Sequence, residues 1–208
     1  LFKQVNVLRV AAADLTGVMA LMVVSDKLTE IAEVIVEKTL VLSWQSVCAA
    51  YGKPAGADAE VVSGFGVIGF GKMGGLELGF SSDLDLVFIH QDAPTDEMTV
   101  GDKSVSLGEF YTRLGRKMIT LLTTRTFSGP LYDIDLRLRP NGKSGLLVTS
   151  ESAFASYQKT QAWTWEHQAL IRARFIAGCD QIGGAFNRIR GEVLCKEREI
   201  DTLKKDII

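Results

Sequence analysis

Asp83 and Asp85 stand one residue apart at the start of an apolar segment that runs to Phe88. Successive side chains of a β-strand point to opposite faces, so we expect both carboxylates on one face while Leu84 and Leu86 enter a core. Two neighbouring carboxylates repel each other unless a cation lies between them. Mg²⁺ takes oxygen ligands and shares them with phosphate, so the pair indicates a magnesium–nucleotide site. The alternative is a solvated strand start with two surface acids.

A second segment, LYDIDLRLRP at residues 131–140, alternates in the same way. As a strand it would place Asp133, Asp135, Arg137 and Arg139 on one face. It would add a third carboxylate to the pair, followed by guanidinium groups that match the geometry of phosphate oxygens. Together with a nearby glycine turn, this pattern favours phosphoryl or nucleotidyl transfer.

The glycine turn reads GFGKMGG over residues 69–75 and precedes the aspartate pair. We expect Gly71, Lys72 and Ser82 to bind phosphate through backbone groups and the lysine ammonium, with Arg137 or Arg139 adding a guanidinium fork. The turn also matches the G-x-G-x-x-G pattern of dinucleotide-binding folds. A very short following helix and a next strand that opens with two acids argue against that alternative.

Three separated motifs resemble the glutamine synthetase adenylyltransferase family, within the polymerase-beta-like nucleotidyltransferases. They read GFGKMGGLELGFSSDLDLVF, TRTFSGPLYDIDLRLRPNGKSGLLV and YQKTQAWTWEHQALIRAR, and the likeness extends over nearly the whole chain. The resemblance implies an α+β fold, in which a nucleotidyltransferase core with a small mixed sheet is flanked by N-terminal and C-terminal helices. WEHQALIRAR resembles the adenylylating half of this two-site family. In the wider superfamily many members have Ser after the turn glycine, where this chain has Lys72.

The function that the resemblance implies is transfer of AMP from ATP to a tyrosine hydroxyl of glutamine synthetase. Asp83, Asp85 and Asp135 would hold two Mg²⁺ ions for in-line displacement at the α-phosphate. Asp133 is the competing third carboxylate, and the family pattern favours Asp135. Control by the PII signal protein and by glutamine is implied through regions outside this chain.

Two other functions stay open at this point. The deadenylylating half of the family would use the same triad for phosphorolysis of AMP-tyrosine to ADP. A nucleotide-sensing or protein-docking domain without turnover is the non-enzymatic alternative, although a degenerate relative would be expected to lose a carboxylate. The sequence does not decide the role of three charged residues, Glu166, Arg172 and Arg174. They belong either to a salt-bridged helix or to the site.

Composition limits the partners. The 208 residues are 47% apolar and 23% charged, which is typical of a globular protein. The net charge of −2 does not indicate a nucleic-acid partner, which would normally need a basic face. The apolar run at residues 18–24 is too short to span a membrane. Cys48, Cys179 and Cys195 fit neither a metal site nor a disulfide framework, so we expect a reducing, cytoplasmic setting. The start without methionine suggests a fragment of a longer protein.

The chain divides into three expected segments: a helical segment at residues 1–60, the nucleotidyltransferase core at 61–150 and a helical segment at 151–208. Ser25 is a candidate cap for a long helix that ends near Gly52. Ser106 and Ser150 are candidate caps for two later helices. The expected elements of the rest are strands at 61–70, 84–90, 131–140 and 146–149, a short helix at 72–78, and helices at 106–124, 150–160 and 163–175, with another from 180.

Overall fold

The computed structural model describes residues 1–127 and 129–197. Its elements in chain order are α1 (Phe2–Leu15), α2 (Leu21–Tyr51), β1 (Phe65–Gly69), α3 (Gly71–Gly74), β2 (Leu84–His90), α4 (Leu107–Thr123), β3 (Ile134–Asp135), a 3₁₀ turn (Gly142–Ser144), β4 (Val148–Ser150), α5 (Glu151–Thr160), α6 (Thr164–Ile171), β5 (Arg174–Gly178) and α7 (Asp180–Leu194). The predicted α+β class is confirmed. The expected helical structure beyond residue 197 lies outside the described residues, and the division at residues 60 and 150 stays a prediction.

The sheet is small and mixed, as expected. Its path is β3-β2-β1-β5, and β4 also pairs with β2. Strand β1 is antiparallel to both β2 and β5, whereas β3 and β4 run parallel to β2. Strand β3 pairs with the first residues of β2 and β4 with the last, so both lie along the same edge of β2.

Two apolar cores lie on opposite faces of this sheet. Leu86 and Phe88 belong to the core shared with α1, α2 and α4. Val87 and Ile89 belong to the core shared with α5, α6 and α7. Because side chains alternate along a strand, Asp85 lies on the same face as Val87 and Ile89. The face that carries the candidate carboxylate is therefore the one covered, farther along β2, by the C-terminal helices.

Helix α2 is the longest element and anchors the first core. The ring of Trp44 is fully buried and meets Phe110 of α4 edge-on, with centroids 5.3 Å apart. Its indole N–H donates to the carbonyl of Asp58 at 3.0 Å, so the polar end of the ring keeps a partner. The expected cap at Ser25 is wrong, because α2 already begins at Leu21 and Ser25 lies inside the helix, where its carbonyl accepts a side-chain hydrogen bond from the Thr29 hydroxyl.

Helix α1 reaches the segment that leads into β3. The ammonium of Lys3 donates to the carbonyl of Leu131 and lies 3.8 Å from the centroid of the Tyr132 ring. Burial lowers the pKa of Lys3, and the charge of Asp133 opposes that shift. The N-terminal helix therefore helps to hold the chain just before the candidate third carboxylate.

The expected helix at residues 163–175 is wrong in its last four residues. Helix α6 ends at Ile171, and Arg174–Gly178 forms β5, which pairs antiparallel with β1. Two other elements are shorter than expected, since β1 covers only Phe65–Gly69 and α3 only Gly71–Gly74. Among the described residues, no helix is both long enough and apolar enough to cross a membrane.

Candidate active site

The aspartate pair lies at the start of β2. Asp83 is exposed and directly precedes the strand, while Asp85 is its second residue and is half-buried. Burial raises the pKa of Asp85, and the neighbouring charges of Asp83 and Asp135 raise it further. Arg137 and Arg172 oppose that shift but do not cancel it. The site therefore holds negative charge that the surrounding protein leaves only partly compensated.

Asp135 lies beside Asp85 across two parallel strands, where the two residues are register partners. Neighbours in register project to the same face of a sheet, so their side chains share one side. The side chain of Asp135 is 12% exposed. Asp133 is exposed and precedes β3, and its carbonyl accepts a hydrogen bond from the Leu84 N–H at 3.0 Å. Of the two candidates for the third carboxylate, Asp135 is the one paired with the aspartate strand.

The glycine turn comes within contact distance of Asp85. Gly71 has φ +53, in the left-handed region, and a Cβ atom there would lie 2.4 Å from Asp85 Oδ2. The N–H of Phe70 donates to the Asp85 carbonyl at 2.9 Å, which fixes the turn against β2. Lys72 follows on α3 with an exposed side chain. The hydroxyl of Ser82 accepts from the Gly79 N–H at 3.0 Å and so closes a turn of its own.

The expected strand at residues 131–140 is wrong on both sides of β3, which covers only Ile134–Asp135. The Asp135 carboxylate accepts the backbone N–H of Arg137 at 2.8 Å and its Nε at 2.7 Å, and this local bonding turns the chain out of the strand. Arg139 points to the backbone, donating to the carbonyls of Leu136 at 2.7 Å and Lys143 at 3.1 Å. The two arginines therefore do not share one strand face with the aspartates.

Carboxylate oxygens of this kind suit a hard cation such as Mg²⁺. The raised pKa of Asp85 marks a place where added positive charge would be favourable. Among the described residues, however, no three acidic, histidine or cysteine side chains form a ready metal-binding group. Arg137 engages both carboxylate oxygens of Asp135 and lowers its pKa. The three carboxylates have the donor chemistry that a divalent ion needs, but Arg137 occupies Asp135 in this structure.

Three charged residues that the sequence left open have different surroundings. Glu166 is buried, accepts from the Tyr157 hydroxyl at 2.8 Å and from the Trp163 N–H at 2.8 Å, and thus stabilises the start of α6. Arg174 pairs with Glu33 and donates to carbonyls of α3. Arg172 is exposed and lies next to the glycine turn. Sequence periodicity could not separate these roles, because all three residues fall in one predicted helix.

The α+β fold, with one aspartate just before β2, a second on β2 and a third beside it on β3, has the architecture expected of a nucleotidyltransferase core. The chain belongs to the glutamate-ammonia ligase adenylyltransferase family, whose model matches residues 1–189. The family resemblance drawn from the three motifs is thereby confirmed.

Relatives with a curated description agree with this membership. Over 207 residues the chain is 52% identical to the bifunctional glutamine synthetase adenylyltransferase/adenylyl-removing enzyme of Pseudomonas putida. It is 50% identical over 207 residues to the proteins of the same name from Pseudomonas syringae pv. tomato and Vibrio parahaemolyticus. These matches cover 99%, 99% and 100% of this chain but only 21%, 21% and 22% of the relatives. The chain thus spans about a fifth of their length.

Proposed function

We propose that this chain is a nucleotidyltransferase that transfers AMP from ATP to a tyrosine hydroxyl of glutamine synthetase. The observation that carries the proposal is the register pairing of Asp85 with Asp135 beside the Gly71 turn, in a chain of the adenylyltransferase family. The relatives' name supports the acceptor, since it specifies glutamine synthetase. The WEHQALIRAR motif supports the adenylylating direction through its resemblance to that half of the family.

The proposed roles follow from the surroundings of each side chain. A phenol with a pKa of about 10 is a poor nucleophile at neutral pH. A pair of Mg²⁺ ions held by Asp83, Asp85 and Asp135 would favour the ionised hydroxyl and neutralise phosphate charge. Gly71 lets the backbone approach the carboxylates, because any side chain there would strike Asp85. Lys72, exposed on α3, supplies an ammonium for phosphate.

Deadenylylation is the second candidate function, since the relatives are also named adenylyl-removing enzymes. It would use the same three carboxylates, with orthophosphate in place of the tyrosine hydroxyl as the attacking group. The PII signal protein and glutamine stay proposed effectors of a longer protein. A cytoplasmic setting likewise stays a proposal.

The test of the proposed function is intact mass spectrometry of glutamine synthetase after incubation with this chain, ATP and Mg²⁺. We expect an AMP adduct on tyrosine, and none when the chain carries Asp85→Asn. A parallel reaction contains AMP-modified glutamine synthetase and orthophosphate, and little ADP should form. Brisk ADP release with no adduct from ATP would establish the opposite direction. Neither product, together with no binding of ATP, would favour a docking domain.

A further inference from the structure

Arg172 stands where the end of α6 meets the glycine turn. It is the C-cap residue directly after α6, and its backbone packs on Gly74, where a Cβ atom would lie 1.8 Å from the Arg172 carbonyl oxygen. At Gly75, an added Cβ would lie 3.1 Å from Arg172 Nε and 3.2 Å from the Gly71 carbonyl oxygen. The guanidinium therefore lies over the same turn that touches Asp85.

In the described part of the chain, the Arg172 guanidinium forms its side-chain hydrogen bond with another exposed residue, Glu77. Its Nη2 donates to Glu77 Oε2 at 2.6 Å, and the two side chains are 46% and 51% exposed. Exposed ion pairs contribute little stability, about 0–1 kcal/mol, because water solvates both charges well. A polyanion that arrives at the turn can therefore replace Glu77 at small cost.

The other arginines near the site are more firmly engaged. The Arg137 guanidinium contacts Asp135 Oδ2 through Nε at 2.7 Å and Nη2 at 2.5 Å, and Arg139 donates to backbone carbonyls. Arg174 donates to carbonyls of α3 and pairs with Glu33. The charge of Arg172 acts on Asp85 across the turn, as that of Arg137 does, but the Arg172 guanidinium pairs with Glu77 instead of a carboxylate of the site.

We infer that Arg172 binds the polyphosphate chain of the nucleotide, exchanging Glu77 for phosphate oxygens when ATP binds. This inference rests on the proposed function, because it places the nucleotide at the Asp85 site. A guanidinium binds two phosphate oxygens through two parallel N–H donors in one plane, a geometry that an ammonium does not offer. Glu77 then acts as a competing anion that holds Arg172 in position over the turn until the nucleotide replaces it.

The test is calorimetric titration of the full 208-residue chain with ATP and Mg²⁺, and separately with adenosine, in the absence of acceptor protein. Arg172→Gln should weaken ATP binding by about ten- to a hundredfold, the usual loss for charged hydrogen bonds, and leave adenosine binding unchanged. Arg172→Lys should fall between, since it keeps the charge without the fork. Glu77→Gln should tighten ATP binding, by up to about fivefold, because it removes the competitor.

The matched control is Arg188→Gln. Arg188 forms an equivalent 2.6 Å ion pair with Glu151, which lies at the far end of β2 next to β4. The Arg188→Gln variant should bind ATP and adenosine with wild-type affinities. If the ion pair between Arg172 and Glu77 were purely structural, Arg172→Gln and Glu77→Gln would lower the melting temperature equally. Neither variant would change the affinity for ATP differently from the affinity for adenosine.

The outcomes separate the inference from the function beneath it. If the wild-type chain binds ATP and the folded Arg172→Gln variant binds it with an affinity within twofold of the wild type, the role of Arg172 is overturned. The proposed function would then still stand. If Arg172→Gln does not fold, wild-type-like ATP affinity in Arg172→Lys together with no gain in Glu77→Gln would overturn the role equally. Absence of ATP binding by the wild-type chain would overturn both.

Discussion

Asp85 and Asp135 are register partners on the parallel strands β2 and β3, so residues from two separate motifs stand side by side on one face of the sheet. The glycine turn closes on the same carboxylate from the other side, with Gly71 against Asp85 Oδ2. The pairing depends on backbone hydrogen bonds rather than on the carboxylates themselves. Substitution of the carboxylates should therefore separate chemistry from folding.

Asp83→Asn and Asp85→Asn should each reduce AMP transfer to less than about a tenth of the wild-type rate, because the neutral amide is a poorer ligand for a divalent ion. Both variants should keep the wild-type circular dichroism spectrum. Initial rates of adduct formation on glutamine synthetase at saturating Mg²⁺ provide the measurement. A folded variant that retains more than that rate would remove the two-metal assignment.

Asp85→Asn should also raise the melting temperature of the metal-free chain. The pKa of Asp85 is raised above its ordinary 3.8 in the folded chain, so folding favours the protonated carboxyl. The ionised Asp85 carboxylate therefore destabilises the folded chain. This effect is absent at pH values below 3.8 and grows as the pH rises through the folded pKa. The difference in melting temperature between the variant and the wild type should therefore be larger at neutral pH than near pH 3. Calorimetric scans in EDTA measure it, and a difference independent of pH would contradict this electrostatic account.

Asp135→Ala should abolish transfer, whereas Asp133→Ala should leave substantial activity. Asp135 pairs with the aspartate strand and is nearly buried, while Asp133 is exposed and uses its backbone carbonyl to hold Leu84. Positions two apart on a strand are separated by roughly 6.6 Å, so Asp133 and Asp135 cannot both bind the same ion. Initial rates of both variants at saturating Mg²⁺ decide between the two residues. An inactive Asp133→Ala variant would assign the role of third carboxylate to Asp133 instead of Asp135.

Gly71→Ala should cost activity and about 1–2 kcal/mol of stability, because alanine is strained at φ +53 and its Cβ would displace the Asp85 carboxylate. The matched control is Gly184→Ala in the middle of α7, where an added Cβ meets no atom within 4 Å. That change should stabilise the chain by about 0.5–1 kcal/mol and leave transfer unchanged. Urea unfolding and rate measurements on both variants test the comparison. Equal behaviour of the two variants would show that the left-handed turn at Gly71 is not required.

Local signals in the sequence were sufficient for several elements. Alternation of apolar residues predicted β2 with its observed bounds, Leu84–His90. The expected caps Ser106 and Ser150 accept the N–H groups of Glu109 and Ala153, and α4 and α5 follow them as predicted. Each of these signals acts within one or two turns of chain, so the residues that determine the element are close in sequence.

The errors arose where distant contacts or side-chain bonding to the backbone decide the structure. Strand β5 continues from α6 without a proline or glycine to mark the break, and it exists because β1 offers a free edge. At β3, the alternating pattern continues to Arg139, but the bonds from Arg137 to Asp135 bend the chain out of the strand. Alternation alone reports apolar faces and cannot register such a competing turn.

Strand β3 contributes only two residues to the sheet, Ile134 and Asp135, and is joined to α1 through the Lys3 contact just before it. A two-residue strand has few backbone hydrogen bonds to its neighbour, so β3 opens more easily than the buried core around Trp44. The third carboxylate can therefore leave the site by local opening while the rest of the fold stays intact. On heating, catalytic competence should be lost below the temperature at which the chain unfolds.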